Sequence, residues 1–251
     1  FSLARPPLAN SFTYAYTQYM PAKNSNKFYV KNSYYHIYNR GVEKRKIFKD
    51  EQDYGVFLSY LKEYLSPKDK KSLAERLADP ATTYREKDKI LKALRLNNFA
   101  DKIALIAYCL MPNHFHFLLK QEEVQGIDAF MNSLATRYTL YFNRKYKRVG
   151  TLYQGVYKGV LVATDEQLLH LTRYIHRNPL ILASQGLPLQ ILQTKPSSYP
   201  EYIGKRKTSW VHQEKILPFF SKTNRKLSYQ SFVSQENETE RIKEVTIDMD
   251  S

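Results

Sequence analysis

The chain has 251 residues, 43% of them hydrophobic, and a formal net charge of +15 at neutral pH. That apolar content excludes a disordered polycation, and the charge excess points to a polyanionic partner, nucleic acid before anionic membrane. The single cysteine, Cys109, excludes a disulfide framework and a cysteine-based zinc site within one chain, and no run of about 18 apolar residues is present to span a membrane.

Residues 1–30, with Pro6, Pro7 and Pro21, read as a loosely structured N-terminal extension without the basic start and apolar core of a signal peptide. With one cysteine and no leader, a reducing, cytoplasmic setting is expected, nucleoid-associated when DNA is bound. A tyrosine-rich strand is predicted at SYYHIYNRG, 33–41, stopped by Gly41. Asp50 then caps a helix through EQDYGVFLSYLKEYL, in which Tyr54, Phe57, Leu58, Leu61 and Leu65 form a core-facing stripe. Residues 66–101 turn charged and helix-prone around Pro80 and read as a two-helix insertion. KIALIAYCLM, 102–111, is a buried strand, and Pro112-Asn113 turns the chain into HFHFLLKQ. A long helix at about 125–146 is followed by GTLYQGVYKGVLVA, a strand or hairpin broken by Gly155 and Gly159. Thr164-Asp165-Glu166-Gln167 opens a further helix with a capping-box pattern, and that helix should stop near Pro179. Beyond lie the apolar stretch LILASQGLPLQILQ, a turn-rich segment, one more helix at QEKILPFFS and an acidic tail. The order of elements predicts an α+β fold, a small antiparallel sheet packed by helices.

The stretch MPNHFHFLL, 111–119, carries His114 and His116 with one apolar residue between them. Alternation along a strand puts both imidazoles on one face and Phe115 and Phe117 on the other. Two imidazoles so placed can hold one metal ion, or can simply be polar residues on a solvated face; no nearby Asp-His continues a metallo-hydrolase pattern. In LTRYIHRNP, 171–179, Tyr174 and Asn178 share a helix face, Arg173 and Arg177 form a second i, i+4 pair, and His170 lies one turn before Tyr174. If that helix packs over the histidine face, a phenol, an amide, an imidazole and two guanidiniums converge on one spot suited to phosphoryl chemistry. The bland alternative for Tyr174 is a core tyrosine.

The segments YYHIYNRGVEKRKIFKDEQDYGVFLSYL, AYCLMPNHFHFLL, RYTLYFNRKYKRVGTLYQGVYKG and LTRYIHRNP, in this order, make the chain resemble the single-tyrosine HUH transposases of small insertion sequences, most closely the REP-associated tyrosine transposase branch. The resemblance covers about residues 33–200. It implies a catalytic domain at 31–200, from whose compact pattern the helical insertion 66–101 departs; composition adds a basic C-terminal extension at 201–234 and an acidic tail at 235–251. The resemblance further implies a five-stranded antiparallel sheet sandwiched by helices, of the HUH endonuclease, ferredoxin-like kind. His114 and His116 match the metal-binding pair, and Mg²⁺ or Mn²⁺ is the implied cofactor. Tyr174 matches the nucleophile, and Asn178 stands where a polar residue, often glutamine, completes the metal shell, with His170 as the competing ligand. The implied reaction is cleavage and rejoining of single-stranded or hairpin DNA through a 5′-phosphotyrosine link. A DNA-hairpin binding protein that kept the fold without the chemistry is the alternative.

DNA contacts are expected from residues 137–158, where Arg137, Arg144, Lys145, Lys147, Arg148 and Lys158 stand among five tyrosines with no acid. Arg40, Arg173, Arg177 and the cluster Lys205, Arg206, Lys207 extend that expectation. No membrane partner is expected; a homodimer stays open.

Overall fold

The computed structural model describes residues 29–184 and 196–235. Four strands, β1 (Ser33–Arg40), β2 (Ile103–Met111), β3 (His114–Gln121) and β4 (Lys158–Val162), form one sheet in the order β2-β3-β1-β4, and all neighbours run antiparallel. Helix α1 (Glu51–Leu65) joins β1 to β2, and α4 (Gly126–Lys145) joins β3 to β4. The result is the β-α-β-β-α-β plan of ferredoxin-like domains, with two helices, α2 (Lys70–Ala78) and α3 (Tyr84–Arg95), inserted between α1 and β2. Helix α5 (Asp165–Ser184) follows β4, and short helices α6 (Tyr199–Tyr202) and α7 (Tyr229–Ser234) come after it. The predicted antiparallel sheet between helices is therefore present. Among the described residues it has four strands rather than five.

Side-chain alternation divides the sheet into two chemically different faces. Phe115 and Phe117 face α1 and α4, where the Phe57 ring lies 5.9 and 6.2 Å from them and 4.9 Å from Tyr138. The opposite face carries His114, His116 and Leu118 of β3, in register with Arg40, Tyr38 and His36 of β1. Helix α5 packs on that face, against β2 and β3. A one-residue slip of β3 would put the histidines into the aromatic core, so burial of both faces fixes the register.

Helix α1 begins where the sequence places it: Asp50 accepts a hydrogen bond from Asp53 N at 3.0 Å. Phe57, Leu61 and Leu65 of the predicted stripe are buried, and Tyr54 and Leu58 are half-buried beside them. In the insertion, Thr83 and Glu86 form a capping box at the start of α3, and the Lys68 ammonium donates to Ala93 O at 2.6 Å near the other end. Among the described residues no helix is long and apolar enough to cross a membrane.

Three expectations are corrected. Helix α5 runs past Pro179 to Ser184; Leu171, Ile175 and Pro179 are buried, and that packing outweighs the single backbone bond to Ile175 O that a proline cannot make. The segment QEKILPFFS forms two 3₁₀ turns, Gln213–Lys215 and Leu217–Phe219, because Pro218 has no N–H to continue one helix. Only Lys158–Val162 of GTLYQGVYKGVLVA is a strand; Gly150 and Gly155 turn the preceding chain at φ of 85° and 145°. Most of the N-terminal extension, the stretch 185–195 and nearly all of the acidic tail lie outside the described residues.

The outer edge of β2 is closed by later chain. Single bridges join Cys109 to Ser197 and Leu105 to Val211, and backbone hydrogen bonds run from Leu110 N to Pro196 O, Ser198 N to Tyr108 O and His212 N to Leu105 O. His176, on the underside of α5, ties that helix to the same segment. Its Nδ1 lies 2.6 Å from the Tyr229 hydroxyl and its Nε2 2.7 Å from Ser198 Oγ. Burial lowers the His176 imidazole from 6.5 to about 3. The unfolded chain therefore binds more protons than the folded one between those values, so stability is full above about pH 6.5 and falls as pH drops toward 3. The contribution is at most about 1.4 kcal/mol per pH unit. Urea midpoints measured from pH 7 to pH 4.5 should decline, and the slope should be shallower in His176→Gln; equal slopes would exclude His176 as a source.

Candidate active site

The turn Pro112-Asn113 delivers β3 with His114 at its first position, and Asn113 itself orients that ring. Asn113 Oδ1 lies 2.7 Å from His114 Nδ1. A carbonyl oxygen only accepts, so His114 carries its proton on Nδ1 and its lone pair on Nε2. The His114 and His116 rings stand 5.1 Å apart at 86°.

His116 is fully buried. Burial first, and then the neighbouring His36 and His114, hold its imidazole well below 6.5, so it is neutral at physiological pH. His116 Nδ1 lies 2.9 Å from His36 Nε2, whereas its Nε2 has no hydrogen-bond partner. Cys109 pairs with His116 across β2 and β3, but burial pushes its thiol far up, so a thiolate ligand is not available there.

Helix α5 brings Tyr174 over this face within the same chain. Its ring centre lies 5.4 Å from that of His116 at 85° and 6.3 Å from that of His36 at 81°. Asn178 follows one turn later on the same helix face, and its Nδ2 is also buried without a hydrogen-bond partner. Rotation about the terminal torsion exchanges the oxygen and nitrogen of such an amide, so Asn178 can offer its carbonyl. The orphaned Nε2 of His116 is what a divalent ion between β3 and α5 would satisfy, and Asn178 fits that set only with its carbonyl oxygen turned toward it. Among the described residues no three His, Cys, Asp or Glu side chains form a metal site; His114 and His116 are the candidate imidazoles, with His36 bonded behind His116.

Other polar groups of α5 contact α7 and its flank. His170 Nδ1 accepts from Arg173 Nη2 at 2.9 Å and its ring lies 5.6 Å from Phe232. Arg173 is buried, with its guanidinium 4.7 Å from the Phe232 ring, and Arg177 donates to Gln235 O at 2.5 Å. These three side chains face α7 and the residue after it.

The basic residues also divide. Arg40 pairs in register with His114 and is bonded to Gln154, while Lys158 lies 5.9 Å from the Tyr38 ring; both flank the histidine face. Arg144, Lys147, Lys205 and Lys207 are exposed. Arg148 is half-buried and donates to Asn143 Oδ1 at 2.9 Å. Arg137 pairs with Glu63 at 2.8 Å over the Tyr60 ring, Arg206 pairs with the buried Glu201 at 2.6 Å, and Lys145 pairs with Asp50 and Asp53. These last three charges are neutralised within the chain.

Two residues at the centre of the site have no site role in the sequence analysis: His36 is not singled out there, and Asn113 enters only as a turn residue. Asn113 stands in the quoted motif beside His114, so adjacency was an available signal. His36 had none, because its meeting with His116 depends on the β1–β3 register.

The β-α-β-β-α-β sheet thus presents a His-x-His strand beneath a helix-borne tyrosine. Residues 81–178 match the model of the family described as "Transposase IS200 like", a span that takes in His114, His116, Tyr174 and Asn178. The chain is thus similar to that family over this segment. It is also similar to a solved REP-associated tyrosine transposase bound to a REP hairpin, at 9% identity over 75% of this chain and 96% of that one, with a TM-score of 0.44. A second structure, described as a candidate transposase of Deinococcus radiodurans R1, is 17% identical over 61% of this chain and 96% of that one, with a TM-score of 0.32. No curated protein matches the chain.

Proposed function

We propose that the protein cleaves and rejoins single-stranded DNA through a covalent 5′-phosphotyrosine link on Tyr174, as a transposase or a domesticated relative acting on hairpin repeat DNA. The observation that carries this reading is the placement of the Tyr174 ring edge-on over the ring of His116, within one chain and 5.4 Å away.

In this reading His114, His116 and Asn178 hold Mg²⁺ or Mn²⁺, which would polarise the scissile phosphate and favour the phenolate. Asn113 accepts from His114 Nδ1, which leaves Nε2 of the neutral ring as the ligating nitrogen, and burial keeps His116 neutral. Arg40 and Lys158, at the margin of the face, attract the phosphate backbone. The Tyr174 oxygen bonds to phosphorus as the bond to the 3′ oxygen breaks. The phenol gives up one proton and the departing 3′ oxygen takes one, so the step is neutral overall. Attack by a 3′ hydroxyl on the phosphotyrosine reverses it and joins strands without an external energy source.

The test is covalent capture. The protein is incubated with labelled single-stranded hairpin DNA from its own genomic flanks, with Mg²⁺, with Mn²⁺ or with EDTA, and run on a denaturing gel. A metal-dependent, denaturation-resistant adduct is expected. Tight hairpin binding without any adduct would overturn the enzymatic reading in favour of a binding protein.

A further inference from the structure

We propose that His36 is a positioning residue that fixes the tautomer of His116, and so sets whether that imidazole can take a divalent cation. This rests on the reading of His116 as a metal ligand and adds the group behind it. His36 lies in β1, outside the segment 81–178 that matches the transposase family.

Three observations carry the inference. His36 Nε2 and His116 Nδ1 are 2.9 Å apart. The two rings stack, with centres 5.1 Å apart and planes 16° from parallel. Both residues are fully buried. Two nitrogens at that distance share one proton, since two lone pairs repel and two N–H groups collide.

Only two arrangements remain. If His36 donates, His116 must carry its own proton on Nε2. That atom is buried with no hydrogen-bond partner, so the N–H would be an unsatisfied donor, which folded proteins avoid, and it would have no lone pair for a metal. If His116 donates from Nδ1, His36 Nε2 accepts, and the His116 lone pair stands on Nε2. The second arrangement satisfies the shared contact and leaves the orphaned atom as a ligand. It is the relation in which metal-binding histidines are usually held, the remote N–H engaged by an acceptor. His114 reaches the same state through a different acceptor, Asn113 Oδ1. The two imidazoles are thus set alike from opposite sides, one by an amide and one by a third imidazole.

The experiment uses the full chain with ¹⁵N-labelled histidine. Long-range ¹H–¹⁵N correlation on the metal-free protein should show His116 protonated on Nδ1. Mn²⁺ affinity is then followed by electron paramagnetic resonance. His36→Gln offers an acceptor oxygen and should stay within about threefold of the parent, whereas His36→Phe offers none and should weaken Mn²⁺ binding roughly 10- to 100-fold. His116 protonated on Nε2 in the parent protein would overturn the proposal, even if neither variant folds. So would a His36→Phe protein that binds Mn²⁺ as well as the parent. Failure of the underlying reading looks different: the parent and His116→Ala would then bind Mn²⁺ equally, and both readings would fall.

Discussion

Tyr174→Phe should yield a protein that folds and binds hairpin DNA yet forms no covalent adduct, with strand cleavage slowed by at least about 10⁴-fold. The substitution removes one oxygen and keeps the ring that packs edge-on against His116 and His36. Packing, His114, His116, Asn178 and the flanking basic residues are unchanged, so under the proposed function the loss is confined to bond formation at phosphorus. A structural tyrosine would behave in the opposite way, with adduct retained and stability changed. The comparison is made on one denaturing gel, with hairpin binding measured separately by fluorescence anisotropy. An adduct that survives in Tyr174→Phe would move the nucleophile, and Tyr38 is then the next tyrosine to change, its ring lying 5.9 Å from that of His116.

The largest effect on stability is expected at Asp53. Its side chain is fully buried, and both carboxylate oxygens are engaged. Oδ1 accepts from Tyr141 at 3.0 Å and from Lys145 at 2.8 Å, and Oδ2 accepts from Lys49 N at 2.8 Å and from Tyr146 at 2.8 Å. Burial alone would raise the carboxyl; the Lys145 ammonium and the other three donors outweigh it and hold the group below its ordinary 3.8. Asp53→Ala strands those donors at the junction of α1 and α4 and should cost about 3–4 kcal/mol, read from guanidinium unfolding. A loss under about 0.5 kcal/mol would mean that the network adds nothing beyond a surface ion pair. Because the folded value is depressed, this stabilisation is fully present above about pH 4 and fades only as pH falls through the folded value. Acid weakening between pH 6.5 and 4.5 therefore belongs to buried histidine and not to Asp53.

Local signals in the sequence carried much of this structure. Asp50 marks the start of α1 because a cap is read from adjacent residues, and the alternation of HFHF places two imidazoles on one face whatever the strand packs against. The i, i+4 relation of Tyr174 and Asn178 likewise needs only a helix. What the sequence withheld depends on partners distant in the chain. The local sequence around Lys145 shows only cations and tyrosines, and its partners Asp50 and Asp53 lie more than ninety residues earlier. Arg173 reads as a phosphate clamp until Phe232 covers it. His36 is one polar residue in a tyrosine-rich strand until the β1–β3 register brings it to His116. Pro179 marks a helix stop by local rules, and tertiary packing overrides them.

The closed edge of β2 bears on the order in which the molecule is made. Tyr108 waits for Ser198, 90 residues later, and at about 5–20 residues per second that interval on the ribosome is roughly 5 to 20 s. Throughout it an apolar strand offers an open row of amides and carbonyls, the kind of edge on which nascent chains aggregate or recruit chaperones. The same late segment anchors α5 through His176 and Ser198, so the tyrosine is seated only after translation has passed the strand-closing residues. A ribosome-bound fragment ending at α5 would hold His114 and His116 in place without a seated Tyr174.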